Sequence, residues 1–415
     1  MEKFEKDLKL RGVNASTKKI WEMWNFYKDI RMKKQKIEET SGELVGKMSK
    51  FHKIKDLTPE QRQELNKLET QYLVIKEDFK LIRSILWDMD DSFIAKLLKL
   101  PNEIDERTPL KFPSVLKEFG TLHNLPDGET KSHIEIGKRL GLLEYKNPMQ
   151  CYLCNDAALF ELGVLSFAGK VLRAEDMIRV SGSDFSRSLL VEGSGLNHEN
   201  PWDAFVIDNH TDVEKDSPNR MHLVGGASLI SFLALHVKQL INPKHFPVKY
   251  FSTGRQYTPF PAGSTPIGLF TVCQTSAVHV FTMVKDSGSE EYNVEFEKLL
   301  NTICKLYESI CDHYRVIVRP VSELRPWEGM RVSFELWSQF TKQYIEVGHI
   351  SVCGDYFSKR LLITYQTSTG RSFPSVISGT VLSVPRLLGC LLEQNPENFI
   401  IPSKIAAHMP VDNVL

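Results

Sequence analysis

The sequence is bounded first by what it has little of. It carries no charge bias, since 52 lysines and arginines balance 52 aspartates and glutamates over 415 residues. The molecule as a whole is therefore no polyanion binder, and any nucleic-acid surface must be local. No run of about 18 apolar residues occurs, so no transmembrane helix is expected. The opening stretch MEKFEKDLKLRG is too acidic for a transit peptide and lacks the apolar core of a secretory signal. The expectation is a cytosolic protein, or one whose targeting segment is left out of this sequence. Cysteine is sparse: seven residues in so long a chain make no disulfide framework. Cys151 and Cys154 have C-x-x-C spacing, but no second such pair or paired histidines accompany them. Tyr152 and Leu153 between them are strand formers, which favours a structural role over metal or redox chemistry.

What is present suits two domains, or one large domain with an appendage. From Ser16 to about Asp56 the chain is free of proline, with Met23, Ile30, Ile37, Leu44 and Phe51 recurring every seven residues. Thr58-Pro59-Glu60-Gln61 then offers an N-cap, a first-turn proline and a capping-box glutamine. Beyond it Leu65, Leu68, Tyr72, Ile75, Phe79, Ile82, Leu86, Met89 and Phe93 alternate steps of three and four, a coiled-coil seam. Two long helices joined by a short turn predict an antiparallel hairpin of roughly 60 Å. Its first helix is basic, with Lys28, Arg31, Lys33, Lys34 and Lys36 in one cluster and Lys47, Lys50, Lys53 and Lys55 near the tip. Such a rod suits a phosphate backbone. Glu38, Glu39 and Glu43 interrupt it, so a solvated coiled-coil face is the competing reading.

The rest reads as α+β. Residues 1–105 are assigned to the hairpin domain, 106–131 to an irregular proline- and glycine-punctuated linker, and 132–415 to the second domain. There, strands are expected at Val248–Thr253, Gly268–Val284, Tyr314–Val318, Arg331–Trp337, Tyr344–Val352 and Leu361–Tyr365. Helices are expected over Asp156 to about Val171, Val224–Val237, Phe296–Ile310 and the stretch after Val384. In that last stretch Pro385 fits a first helical turn, and Arg386 sits beside free N–H groups at the positive end of the helix dipole. Locally, Arg386 is either a weak anion site or a surface arginine.

Several segments occur together in one order: the hairpin, Leu100-Pro101-Asn102, Ser132 to Leu143, Gly268-Leu269, Glu335-Leu336-Trp337, Asp355 and Gly379 to Arg386. On these the chain resembles class II seryl-tRNA synthetases. The resemblance implies an N-terminal antiparallel coiled-coil hairpin that holds the long arm of a tRNA. It also implies a class II aminoacyl-tRNA synthetase-like antiparallel sheet flanked by helices, with a motif 1 helix at a dimer interface. On that helix Phe160, Leu162 and Leu165 either meet a second subunit or fill the domain's own core.

The residues that such chemistry needs are largely replaced. Adenylate formation needs cations on the triphosphate and carboxylates for the metal and the serine ammonium. Near motif 2, Arg255-Gln256-Tyr257 lacks the family's glutamate, and Pro259-Phe260-Pro261-Ala262-Gly263 replaces its charged loop. Gly268 to Thr275 loses the family's arginine, histidine and phenylalanine, and His279 stands for a glutamate. Gly226-Ala227-Ser228 replaces T-A-E. Glu346-Val347-Gly348-His349 replaces the metal-binding E-x-x-S, an unfavourable exchange for Mg²⁺. Ser378-Gly379-Thr380 replaces N-G-S, and Val180-Ser181-Gly182 lacks the motif 1 proline. Glu346 itself survives, but Arg386 alone keeps its family role by position, by resemblance a γ-phosphate contact.

Arg255, Glu346 and Arg386 are therefore expected to be vestigial, with no metal and no cofactor. The resemblance extends to a catalytically inactive mitochondrial branch of the family. It implies a location in the mitochondrial matrix, tRNA or other RNA binding through the arm, and a heterodimer with the catalytic mitochondrial seryl-tRNA synthetase. The alternative is an active seryl-tRNA synthetase joining serine to its tRNA with ATP.

Overall fold

The computed structural model describes residues 2–54, 58–126, 128–207, 219–261 and 263–410. The chain divides into two compact units, Met1–Leu100 and Pro101–Leu415. The first holds α1 (Glu2–Leu10), α2 (Thr17–Phe51), α3 (Pro59–Met89) and, beyond one π-turn, α4 (Ala95–Leu98). The α3 N-terminus uses the capping box: Thr58 Oγ1 accepts from the Gln61 N–H at 3.3 Å, and Gln61 Oε1 accepts from the Thr58 N–H at 3.0 Å. Tyr27 near the start of α2 meets Asp90 after α3, and Lys34 meets Phe79, so the helices run antiparallel.

On α3 the seam from Leu65 to Leu86 is shielded, and Met89 and Phe93 are buried. On α2 it runs through Tyr27, Ile30, Lys34, Ile37, Ser41, Leu44, Met48 and Phe51. Met23, expected in this row, is 44% exposed. Tyr27 takes the position because its ring stacks on Trp24 and its hydroxyl donates to Asp90 Oδ1 at 2.7 Å.

The second unit opens with β1 (Ser114–Gly120), α5 (His133–Arg139), β2 (Leu143–Asn147), β3 (Gln150–Leu153), α6 (Asp156–Ala174) and β4 (Ile178–Arg179). A smaller region follows: β5 (Phe185–Arg187), α7 (Ser188–Gly193), β6 (Phe205–Ile207), β7 (Met221–Leu223), α8 (Leu229–His236) and β8 (Leu240–Ile241). Next come β9 (Val248–Tyr257), β10 (Gln274–Val284), α9 (Glu290–Glu308), β11 (His313–Val318), β12 (Met330–Ser338) and β13 (Gln343–Gly354). The chain continues through α10 (Tyr356–Leu361), β14 (Thr364–Thr367), β15 (Gly370–Ser372), β16 (Ser375–Ser383), α11 (Val384–Gln394) and α12 (Ser403–Ala406). Eight strands form one sheet in the order β1-β11-β12-β13-β16-β10-β9-β4, antiparallel except for the β4–β9 pair.

Each face of this sheet has its own core. Phe160 and Val164 of α6, Phe296 and Ile303 of α9, and Leu387 and Leu392 of α11 pack on Val278, Val280, Phe334 and Ile350. Phe232 of α8 and Phe357 of α10 pack on Phe281, Met283 and Val376 in a second cluster. The period-2 alternation of β10 thus feeds two cores, and its apolar run is near-continuous for that reason. Gly379 lets β16 lie close to β13, since a Cβ there would fall 2.2 Å from the His349 carbonyl oxygen. A buried pair ties α5 to α11. The Nε2 of His133 accepts from the Leu269 N–H at 3.0 Å, so its Nδ1 carries the proton donated to Glu393 at 2.6 Å.

Four further expectations change. The helix expected from Val224 starts only at Leu229, where Ser228 caps it by accepting from the Ser231 N–H. The segment read as an irregular linker contains β1, which pairs with β11. Gly268–Thr271 is a 3₁₀ turn, with Gly268 at φ +52° and Thr271 Oγ1 accepting from the Ile267 N–H, so β10 starts only at Gln274. Tyr356–Leu361 is helical, and its strand begins at Thr364.

Candidate functional site

A cavity of about 800 Å³ lies on the second unit's sheet, walled by β9, β10, β12, β13 and β16, the start of α11 and the 258–272 loop. Its apolar wall includes Leu229, Phe260, Phe270 and Trp327, and its polar wall comes from the strands. Strand alternation chooses which side chains enter. On β9 Gln256 enters, and Arg255 turns away to pair with Glu161 of α6 at 3.0 Å and to donate to Ser276 Oγ. The structure thus removes Arg255 from the site and makes it a strut between α6 and the sheet.

At the cavity floor His279, Gln256, Thr380 and Ser378 form a neutral network. His279 is 5% exposed, stacks on Phe232, and burial pushes its pKa down to about 3. Its Nδ1 lies 3.1 Å from Thr380 Oγ1 and 3.3 Å from Gln256 Nε2. A nitrogen facing the Gln256 amide N–H must accept, which puts the proton on Nε2, 2.9 Å from Ser378 Oγ. Ser378 Oγ passes the chain on by donating to the Val280 carbonyl at 2.8 Å.

The β11–β12–β13 wall carries a ladder of alternating charge: Arg315, Glu335, Arg319, Glu346, Arg331 and Glu328. Arg331 reaches Glu346 with Nε at 3.2 Å and with Nη2, and Glu328 with Nη1 at 3.1 Å. Ser333 Oγ also donates to Glu346, and Ser351 Oγ to Glu328 at 2.7 Å. Burial by itself raises the Glu346 pKa. The Arg331 guanidinium, with the Ser333 hydroxyl, outweighs this and holds the carboxyl well below the usual range. Burial drives His349 well below the ordinary histidine value, and Arg331 adds to that. Arg386 enters the cavity at the start of α11, where its Nη1 donates to the Glu346 carbonyl at 2.9 Å. Burial lowers its pKa, with Glu346 opposing.

Residues 213–395 match the model of the tRNA synthetase class II core domain (G, H, P, S and T). The serine–tRNA synthetase-like protein Slimp of Drosophila melanogaster is 25% identical over 94% of this chain and 81% of its own length. The mitochondrial serine–tRNA ligase of Mus musculus is 22% identical over 100% of this chain and 82% of its own. The structure of cytoplasmic serine-tRNA ligase from Naegleria fowleri in complex with AMP superposes with a TM-score of 0.78 at 17% identity, covering 98% of this chain and 94% of that one. The chain resembles the class II seryl-tRNA synthetases.

In this synthetase-like chain the predicted residues separate. Glu346 and Arg386 share the cavity, and Arg255 does not. On the arm Lys28, Arg31, Lys33, Lys36, Lys47, Lys50 and Lys53 are exposed, and Lys55 lies outside the described residues. Lys34 is a seam residue, 3.4 Å from Glu38 and over the Phe79 ring, with part of its side chain still exposed. Of the interface candidates, Phe160 is fully buried against its own core and Phe399, which removes it from any surface; Leu165 packs on the same core, and Leu162 is 50% exposed. Gln256, Arg331 and Glu328 were not predicted. For Gln256 the signal was available in the strand period; for Arg331 and Glu328 it lies in cross-strand pairing, which sequence spacing does not show.

Proposed function

We propose that this chain is a seryl-tRNA synthetase-like protein that does not form seryl adenylate. It keeps the fold to associate with the catalytic mitochondrial seryl-tRNA synthetase and support its aminoacylation, and it contacts RNA through the basic tip of the arm. On this reading residues 1–105 serve the arm and 132–415 a pseudocatalytic domain in the mitochondrial matrix. One observation carries the proposal: the carboxylates that would hold a serine ammonium and a metal are replaced by a neutral His279 network or consumed by arginine. Of the three carboxylates that line the described cavity, Glu328 and Glu346 already accept from Arg331, so neither is left for a serine ammonium, and Asp203 is held by the Asn197 N–H at 2.9 Å and the Asn200 side-chain amide at 2.7 Å. The homology to Slimp and to mitochondrial serine–tRNA ligases supports the location and the partner.

A second reading, an active synthetase, is favoured by the open cavity and by Arg386 facing it. Serine-dependent ATP–pyrophosphate exchange separates the two. The purified chain is expected to show background only, and a clear serine-dependent signal overturns the proposal. Native mass spectrometry of the complex from its own source tests the partner, with a 1:1 assembly with the catalytic synthetase expected.

A further inference from the structure

The resemblance assigns a divalent cation to the Glu346–His349 pair, and the residues present do not fit one. Both Glu346 oxygens are engaged, Oε1 by Arg331 Nη2 and Oε2 by Arg331 Nε at 3.2 Å and by Ser333 Oγ. The position of a hydroxyl ligand holds a partly buried imidazole, with His349 Nδ1 3.6 Å from Glu346 Oε1. Mg²⁺ prefers octahedral oxygen donors at about 2.1 Å. A bidentate guanidinium fills the directions in which those oxygens would coordinate. We propose that the Arg331 guanidinium is a resident cation that stands in the metal's place, joining Glu346 to Glu328 and closing the site to divalent ions.

Three features of the geometry support the substitution. Arg331 is nearly buried and bonds two carboxylates that belong to different segments, one on β13 and one in the turn before β12. It thus supplies the cross-link between elements that a bridging cation gives. Glu328 completes its partners with Ser351 Oγ and the Arg325 N–H, so the clamp is hydrogen-bonded at both ends. The ladder from Arg315 to Glu328 balances three arginines against three glutamates, leaving no excess negative charge on this wall to attract a cation.

The inference rests on the reading of the cavity as a non-catalytic site, but it is tested separately. Mn²⁺ serves as the probe, followed by calorimetry and by the paramagnetic resonance of the free ion. The wild-type chain is expected to show no saturable binding into the millimolar range and no change in melting temperature. Arg331→Met exposes the carboxylate pair, and is expected to bind Mn²⁺ and to recover melting temperature when the ion is added. His349→Ser restores an oxygen ligand with Arg331 in place, and is expected to stay metal-insensitive. It also keeps the test decisive if Arg331→Met does not fold. Saturable Mn²⁺ binding by the wild type or by His349→Ser overturns the proposal, as does a folded Arg331→Met that ignores the ion. Serine-dependent exchange in the absence of such binding would sink the non-catalytic reading and leave the arginine substitution standing.

Discussion

His279 shows how one residue sets both the character of the site and a measurable property of the fold. It is held neutral in the folded chain, with its pKa pushed down to about 3, against about 6.5 when unfolded. As pH falls below 6.5 the unfolded state takes up a proton that the folded state refuses. The stability this histidine allows is therefore complete above about pH 6.5 and is lost progressively toward pH 3, by about 1.4 kcal/mol per pH unit. His349, lowered in the same direction, adds to the slope. His279→Gln keeps amide partners for Ser378 and Thr380 and removes one titration. Urea unfolding at about pH 6.5 and pH 5 should show the variant's dependence shallower by close to one proton, and an unchanged slope would refute the assignment. The replacement of a glutamate by His279 was legible from the resemblance. Its pairing was not: Gln256 comes from β9 and Ser378 and Thr380 from β16, and only the register of these two strands on β10 brings them to His279. Arg255 misled for the same reason, because a motif names a residue and the strand period decides which face it occupies.

At the scale of elements, the hairpin was readable because its seam repeats in both helices and its turn carries a capping box. Leu44→Ala in that seam should cost about 2–4 kcal/mol in the unfolding of the arm. The edge strand β1 was missed because almost every side chain in it is exposed, so no alternation marks it. The charge pattern also sharpens on a helix. At 100° per residue, Lys28, Lys36, Lys47 and Lys50 fall within about 100° of one another, but Glu39 and Glu43 share that flank. The open basic surface is therefore concentrated toward the tip. Fluorescence anisotropy with serine tRNA over a range of salt should give a negative log–log slope. Replacing Lys47, Lys50 and Lys53 by Gln should flatten it by up to about 2–3, and Lys34→Gln should leave it nearly unchanged. An affinity that ignores salt would remove the arm from RNA binding. On α6, Leu162→Arg is expected to weaken subunit association measured by sedimentation with little loss of melting temperature. Phe160→Ala is expected to cost about 3–5 kcal/mol through the cavity it leaves.

Across the whole molecule, the residues that carry the family resemblance and the residues that depart from it occupy different places. The segments that carry the resemblance, from Leu100-Pro101-Asn102 to the α11 start, are those that build turns, caps and cores. Apart from Val180-Ser181-Gly182, each departing segment places at least one residue in the one cavity. They are also mutually consistent, which isolated losses would not be. A neutral His279 suits a floor on which no charged group bears, and Arg331 suits a pair of glutamates with no metal to share. This coupling makes reversal costly and predicts that restoring family residues piecemeal fails. A glutamate at position 279 would be a buried carboxylate with no cation beside it, and His279→Glu alone should destabilise the second unit by about 3–5 kcal/mol. The combined variant Ser228→Glu, His279→Glu and His349→Ser should still give no serine-dependent pyrophosphate exchange. In it Arg331 continues to hold Glu346, and the Pro259–Gly263 loop brings no cation to a triphosphate. Exchange above background from that variant, folded as judged by circular dichroism, would mean that three side chains alone had silenced the site. A variant that melts earlier and stays silent is the outcome the coupled network requires.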